Sequence, residues 1–217
     1  RVSANAPSGA SRRAAAVQAA YASLVKLFPA QQPDLAAKLA GSLSAIASDE
    51  AVQNSQSMLL GIDWGQAVAD AIWTWRSTDG FTPAPPPFPG GSAVGQWRAT
   101  PPANLPGAGP QFAYMTPWGI PSPSAFRPSG PPALNSAEYL ADYNEVKVMG
   151  SLTSALRTAD QTLSCNFWNQ SSATYLWNST ALSLIEQNHT TLSQNAGLLA
   201  ALNIAMADAV IACWEAK

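Results

Sequence analysis

Residues Leu192 to Lys217 read LSQNAGLLAALNIAMADAVIACWEAK. Leu198, Leu202, Ala205, Met206, Ala209, Val210 and Cys213 recur at steps of three and four, which predicts one long helix whose small residues permit close packing against neighbours. Working back along the chain, Ser136 is placed to cap a helix carrying Tyr139, Leu140, Tyr143, Val146 and Met149 toward a core. A further helical run passes through Ala155, Ala159, Thr162 and Phe167, and another lies around Leu182 and Ile185. Near the start, Ser11 is placed to cap a helix with Val17, Ala20, Tyr21, Leu24, Val25 and Phe28 on one face, ended by Pro29. Pro33 and Asp34 open a second helix with the stripe Leu35, Leu39, Leu43 and Ile46. Ser48, Asp49 and Glu50 open a third, with Val52, Leu59, Ile62, Ala69, Ile72 and Trp73 at helical spacing and Asp79-Gly80 as its stop. No strand-like alternation of any length occurs, so the expected fold class is an all-α bundle.

Between the two helical parts lies a different kind of segment. Of the 18 prolines, 15 fall between Pro83 and Pro132, interleaved with Phe88, Trp97, Phe112, Tyr114, Trp118 and Phe126, and Arg98 and Arg127 are its only charges. A solvated tether carries more charge and fewer aromatics, so the composition favours an ordered strap laid on the helical core over a flexible linker. The expected organisation is 1–82 N-terminal helices, 83–132 strap and 133–217 C-terminal helices of the same bundle.

Composition excludes several classes of function. The chain has 217 residues, 47% apolar and 11% charged, with a net charge of −2. Its 11 basic residues are scattered among 13 acids, which gives no footprint for nucleic acid or an anionic membrane surface. No window reads as the roughly 20 consecutive apolar residues of a membrane span. There is no Gly-rich phosphate loop, Cys-x-x-Cys, His-Glu-x-x-His or Gly-x-Ser-x-Gly, and the single histidine, His189, cannot build a histidine-rich metal centre. Asp142 and Glu145 share a helical face that reads as solvated, and Arg157 with Asp160 reads as a buried structural ion pair.

Three Asn-x-Ser/Thr triplets, at Asn169, Asn178 and Asn188, crowd into 22 residues and point to a secreted, extracellular glycoprotein, although a Ser/Thr/Asn-rich surface makes such triplets cheaply. In an oxidising compartment Cys165 could pair with Cys213; two buried free thiols fit equally well. Arg1 is not an initiator methionine, and the chain is expected to be a processed or partial polypeptide.

The words Asn135-Ser-Ala-Glu-Tyr139, Asp142-Tyr-Asn-Glu-Val-Lys147, Arg157-Thr-Ala-Asp-Gln-Thr162, Ala207-Asp-Ala209 and Trp214-Glu-Ala-Lys217 resemble those of vanadium-dependent haloperoxidase-like proteins in the type 2 phosphatidic acid phosphatase superfamily. Trp97-Arg98 and Phe126-Arg127-Pro128 add to the likeness, which covers most of the chain. The resemblance implies a helical bundle that holds vanadate, or phosphate in phosphatase relatives, among Lys, Arg, Ser, Gly and His donors, with Lys217 as the first of them. The family's following Arg-Pro, Pro-Ser-Gly-His and Gly-x-His segments are not in this sequence. One lysine cannot neutralise such an oxyanion, so this chain alone is expected to be inactive. It would need a C-terminal part of the same protein or another chain, or would form a homo-oligomer over its open apolar face Leu198, Leu202, Met206, Val210 and Trp214. The alternatives are a non-catalytic glycosylated interaction module on the same scaffold and an acid-phosphatase-like relative.

Overall fold

The computed structural model describes residues 5–49 and 55–217. Among them it contains seven α-helices and no strand beyond one isolated bridge, so the all-α reading holds. The chain divides into two compact units, residues 1–82 and residues 83–217.

The first unit holds α1 (Arg12–Leu27), α2 (Gln32–Ala47) and α3 (Ser55–Arg76). The Ser11 hydroxyl accepts a hydrogen bond from the Ala14 amide and caps α1, while Pro33 and Asp34 lie in the first turn of α2 as expected. The Asp79 carboxylate takes the Arg76 guanidinium at 2.8 Å, both side chains being about nine-tenths buried, and Gly80 at φ +97° turns the chain out of α3. Glu50 and Val52 lie outside the described residues.

The buried faces correct the sequence reading. In α1 the structure buries Ala14, Gln18 and Ala22 and leaves Leu24 and Phe28 exposed; in α3 it buries Gly61, Gly65 and Ala69 and leaves Leu59, Ile72 and Trp73 exposed. Both buried sets run at four-residue spacing, and they face each other as one seam of small residues. A Cβ added at Gly61 would lie 2.4 Å from the Ser11 carbonyl oxygen, and one at Gly65 would lie 2.3 Å from that of Ala15. The two helix backbones therefore touch, and bulky residues cannot occupy the contact line. The flanks are tied by polar contacts. Gln18 donates to Gln66 at 2.9 Å, and Lys26 pairs with Asp70, whose carboxyl is held below its ordinary 3.8 by hydrogen bonds from Lys26 and then Gln66.

The second unit holds the Pro-rich strap, α4 (Ala137–Met149), α5 (Ala159–Asn169), α6 (Ala173–Asn188) and α7 (Leu192–Ala216). Ser136 caps α4 as expected. Thr158 and Thr191 form reciprocal capping boxes with Gln161 and Gln194, a Thr-x-x-Gln signal that fixes the starts of α5 and α7 and leaves Ala155 in the preceding loop. Helices α6 and α7 are joined by a two-way amide pair between Asn178 and Asn203, at 3.1 and 3.0 Å.

Arg157 does not pair with Asp160. Its guanidinium donates to the carbonyls of Met149 (2.6 Å) and Ser151 (3.0 Å) and to the Thr162 hydroxyl (3.0 Å). A cation on the last carbonyls of α4 satisfies orphan acceptors and opposes the negative end of that helix, which accounts for the arginine without an acidic partner.

The expected core face of α4 is not covered. Helices α4 and α5 bury no residue, α6 buries Ala181 alone, and Leu140, Val146, Leu163 and Trp168 are 60, 71, 68 and 52% exposed. The periodicity predicts the helices correctly, but among the described residues of this unit these apolar side chains stay exposed. Helix α7 needs a second correction: its 25 residues are long and apolar enough, by length and composition, to cross a membrane. Its polar residues are engaged within the unit instead, since Asn195 accepts from Thr190, Asn203 pairs with Asn178 and Asp208 binds the strap.

Candidate functional site

The last three turns of α7 are where the strap docks. Asp208 is 5% exposed and receives three consecutive backbone amides, from Trp118 (2.7 Å, on Oδ1) and from Gly119 and Ile120 (2.7 and 3.0 Å, on Oδ2). A carboxylate inside an apolar helix is costly unless its oxygens are saturated, and here three N–H dipoles converge on it. One turn beyond Ile211, the largest fully buried side chain among the described residues, Trp214 donates its indole N–H to the Ala108 carbonyl at 2.9 Å and meets the edge of Phe112 at 5.6 Å between centroids. Gly109, at φ +66°, makes that approach possible: it starts the short 3-10 turn at 110–114, and a Cβ there would lie 2.7 Å from the Phe112 ring. Glu215 next door is ion-paired with Arg127, whose Nε donates to Oε2 at 2.9 Å. The last three turns of α7 are thus held at three points by residues 88 to 106 positions away.

Lys217 follows directly. Its ammonium sits over the Trp214 ring, 3.9 Å from the centroid, a cation–π contact. It borders two adjoining cavities. One, of about 560 Å³, is walled by Phe88, Trp97, Pro110, Tyr114 and Trp214; the other, of about 460 Å³, by Tyr114, Pro123, Ser124, Trp214 and Glu215. Phe88 is fixed by a two-way backbone bridge to Gly107 and lies 5.9 Å from Trp97.

These surroundings do not by themselves suit an oxyanion such as vanadate. Among the described residues Lys217 is the only cation on either cavity wall, Glu215 is adjacent with its charge already matched by Arg127, and the C-terminal end of α7 contributes negative, not positive, potential. The donors that the sequence resemblance implies beyond Lys217 would have to come from elsewhere.

The other candidate residues lie apart. Asp142 and Glu145 are on the exposed surface of α4. Cys165 and Cys213 are both free, exposed thiols, not paired and not buried. Asn169 ends α5 and Asn188 ends α6, both exposed, whereas Asn178 is within α6 with its amide on Thr174 and Asn203. Sequence reasoning did not find the Asp208 contact or the Arg127–Glu215 pair. The available signal was a lone acid in the apolar run Ile204 to Ala212, which requires a partner outside its own helix.

No family model and no curated protein matches the sequence. Among solved structures, the chain is similar to a vanadium-dependent iodoperoxidase, described as the first bacterial one, with a TM-score of 0.65 and 20% identity over 92% of this chain. That match spans 51% of the iodoperoxidase chain, so the present chain corresponds to about half its length. The fold is haloperoxidase-like.

Proposed function

We propose that this chain is the helical scaffold part of a vanadium-dependent haloperoxidase-like protein, inactive by itself, in which Lys217 is one of several ligands to a vanadate or phosphate-like anion. The observation that carries the reading is the fold likeness across 92% of the chain at half the length of the iodoperoxidase. The three contacts at Asp208, Trp214 and Glu215 support it, because they fix the C-terminal end of the helix that carries Lys217. The uncovered apolar sides of α4, α5 and α6 support a further part of the same protein, or another chain, that closes the bundle. When bound, vanadate supplies Lewis-acid activation of peroxide toward halide; this chain's share is to place one ammonium beside the anion.

The three Asn-x-Ser/Thr triplets support secretion with glycans on Asn169, Asn178 or Asn188; of these the Asn178 amide is bound across the α6–α7 contact and the Asn188 amide to the Leu184 carbonyl of its own helix. A second reading, a non-catalytic interaction module, is favoured by one observation: no second cation borders the cavities beside Lys217. Assays on the native protein from its source, beside the 217-residue chain, separate the two. Peroxide-dependent iodide and bromide oxidation and hydrolysis of a chromogenic phosphate ester are measured with and without vanadate. The proposal expects vanadate-dependent halide oxidation from the native protein and none from the chain alone. Phosphate-ester hydrolysis without halide oxidation selects the phosphatase relative, and inactivity of the native protein in every arm selects the module.

A further inference from the structure

The larger cavity has features that the anion reading does not use. Its volume, about 560 Å³, falls within the range of small-molecule sites, and four of its walls are aromatic: Phe88, Trp97, Tyr114 and Trp214. Three of these rings are held by contacts other than a ligand. Trp214 is fixed by its N–H on Ala108 and its edge contact with Phe112, Phe88 by the bridge to Gly107, and Trp97 by its approach to Phe88 and by its own carbonyl, which accepts from the Gly91 amide at 3.0 Å. Tyr114, 80% exposed, is the one loose wall and stands at the lip. Among the described residues that line it, Lys217 has the one charged side chain, and the nearby Glu215 is neutralised by Arg127.

We infer that this cavity binds a planar aromatic monoanion of the aryl-carboxylate class, its ring against Trp97, Phe88 and Trp214 and its carboxylate on the Lys217 ammonium. Two physical points select that chemistry over others. Aromatic walls held in place by their own contacts favour an aromatic ring, through tilted or edge contacts such as that between Phe88 and Trp97, over a branched aliphatic group. One unmatched ammonium favours one negative charge; a phosphate or vanadate, with more, would call for further donors. This site shares the Lys217 ammonium with the proposed oxyanion cradle but takes its other contacts from Phe88, Trp97 and Trp214, and because the test below uses no vanadate its failure is distinguishable from failure of the haloperoxidase-like reading.

The test is isothermal titration of the 217-residue chain with 2-naphthoate and with its neutral analogue 2-naphthalenemethanol, without vanadate. The expected result is one-to-one binding of the acid, about tenfold tighter than the alcohol. Lys217→Met is expected to bring the acid down to the affinity of the alcohol and leave the alcohol unchanged, while Lys217→Arg keeps the acid within about threefold of the parent chain. Lys217 is exposed, so these variants do not endanger the fold, and an unchanged far-UV spectrum checks that. No saturable heat with the acid, equal affinity for acid and alcohol, or full affinity in Lys217→Met would each overturn the inference.

Discussion

Asp208→Ala is expected to destabilise the second unit by about 4 kcal/mol, because it leaves three backbone amides without the carboxylate that accepts from them and opens a void beside Ile211. Asp208→Asn should cost about half as much: its one oxygen can keep Gly119 and Ile120, but the amide nitrogen then faces the Trp118 N–H, donor against donor. The measurement is urea unfolding followed by tryptophan fluorescence, with limited proteolysis of residues 83–132 as the local readout. Cleavage in the strap should precede global unfolding in Asp208→Ala. Equal midpoints and an equally resistant strap in all three proteins would show that the strap is held by something other than this contact.

The second large effect is expected at the α1–α3 seam. Gly65→Ala should destabilise the first unit by about 3 kcal/mol even though alanine is the better helix former, since the new methyl would stand 2.3 Å from the Ala15 carbonyl oxygen and 3.0 Å from the Gln18 Cβ. Backbone on backbone cannot yield by a rotamer change, so the helices must separate. Gly41, in α2, is the internal control: nothing lies within 4 Å of a Cβ added there, and Gly41→Ala should stabilise by about 0.5–1 kcal/mol. Thermal unfolding of the two variants should therefore move in opposite directions. A shift in the same direction for both would mean that helix propensity, not close approach, governs the seam.

The difference between these two glycines marks where sequence reasoning stopped. Helical periodicity placed all seven helices, and Ser11, Ser136 and Pro33 were legible as helix starts because capping is a local matter of a few residues. Which face is buried is not local. Of the expected stripe in α3 the structure buries Ala69, together with Gly61 and Gly65, and leaves Leu59, Ile72 and Trp73 exposed, because two backbones in contact exclude large side chains. The same limit applies to α4: Leu140 and Val146 mark an apolar side, but among the described residues of this unit that side stays exposed.

The candidate site was legible only in part. The words that carry the family likeness include Arg127, Arg157, Asp208 and Glu215, and each proves to be a structural clamp, on Glu215, on the Met149 and Ser151 carbonyls, on the 118–120 amides and on Arg127 respectively. Such roles depend on contacts across 88 to 90 positions in the case of Arg127 and Asp208, and no spacing rule reports them. Arg157 was misread because an acid three residues away is a local pattern, whereas the carbonyls that it binds are defined by where α4 ends.

The central claim is that these helices are a scaffold whose apolar sides on α4, α5 and α6 await another surface. Sedimentation velocity of the 217-residue chain over a wide concentration range tests it most directly. The account predicts concentration-dependent association, as isolated copies cover Leu140, Val146, Leu163 and Trp168 with one another. A single species of 22.7 kDa at the highest concentration would contradict it.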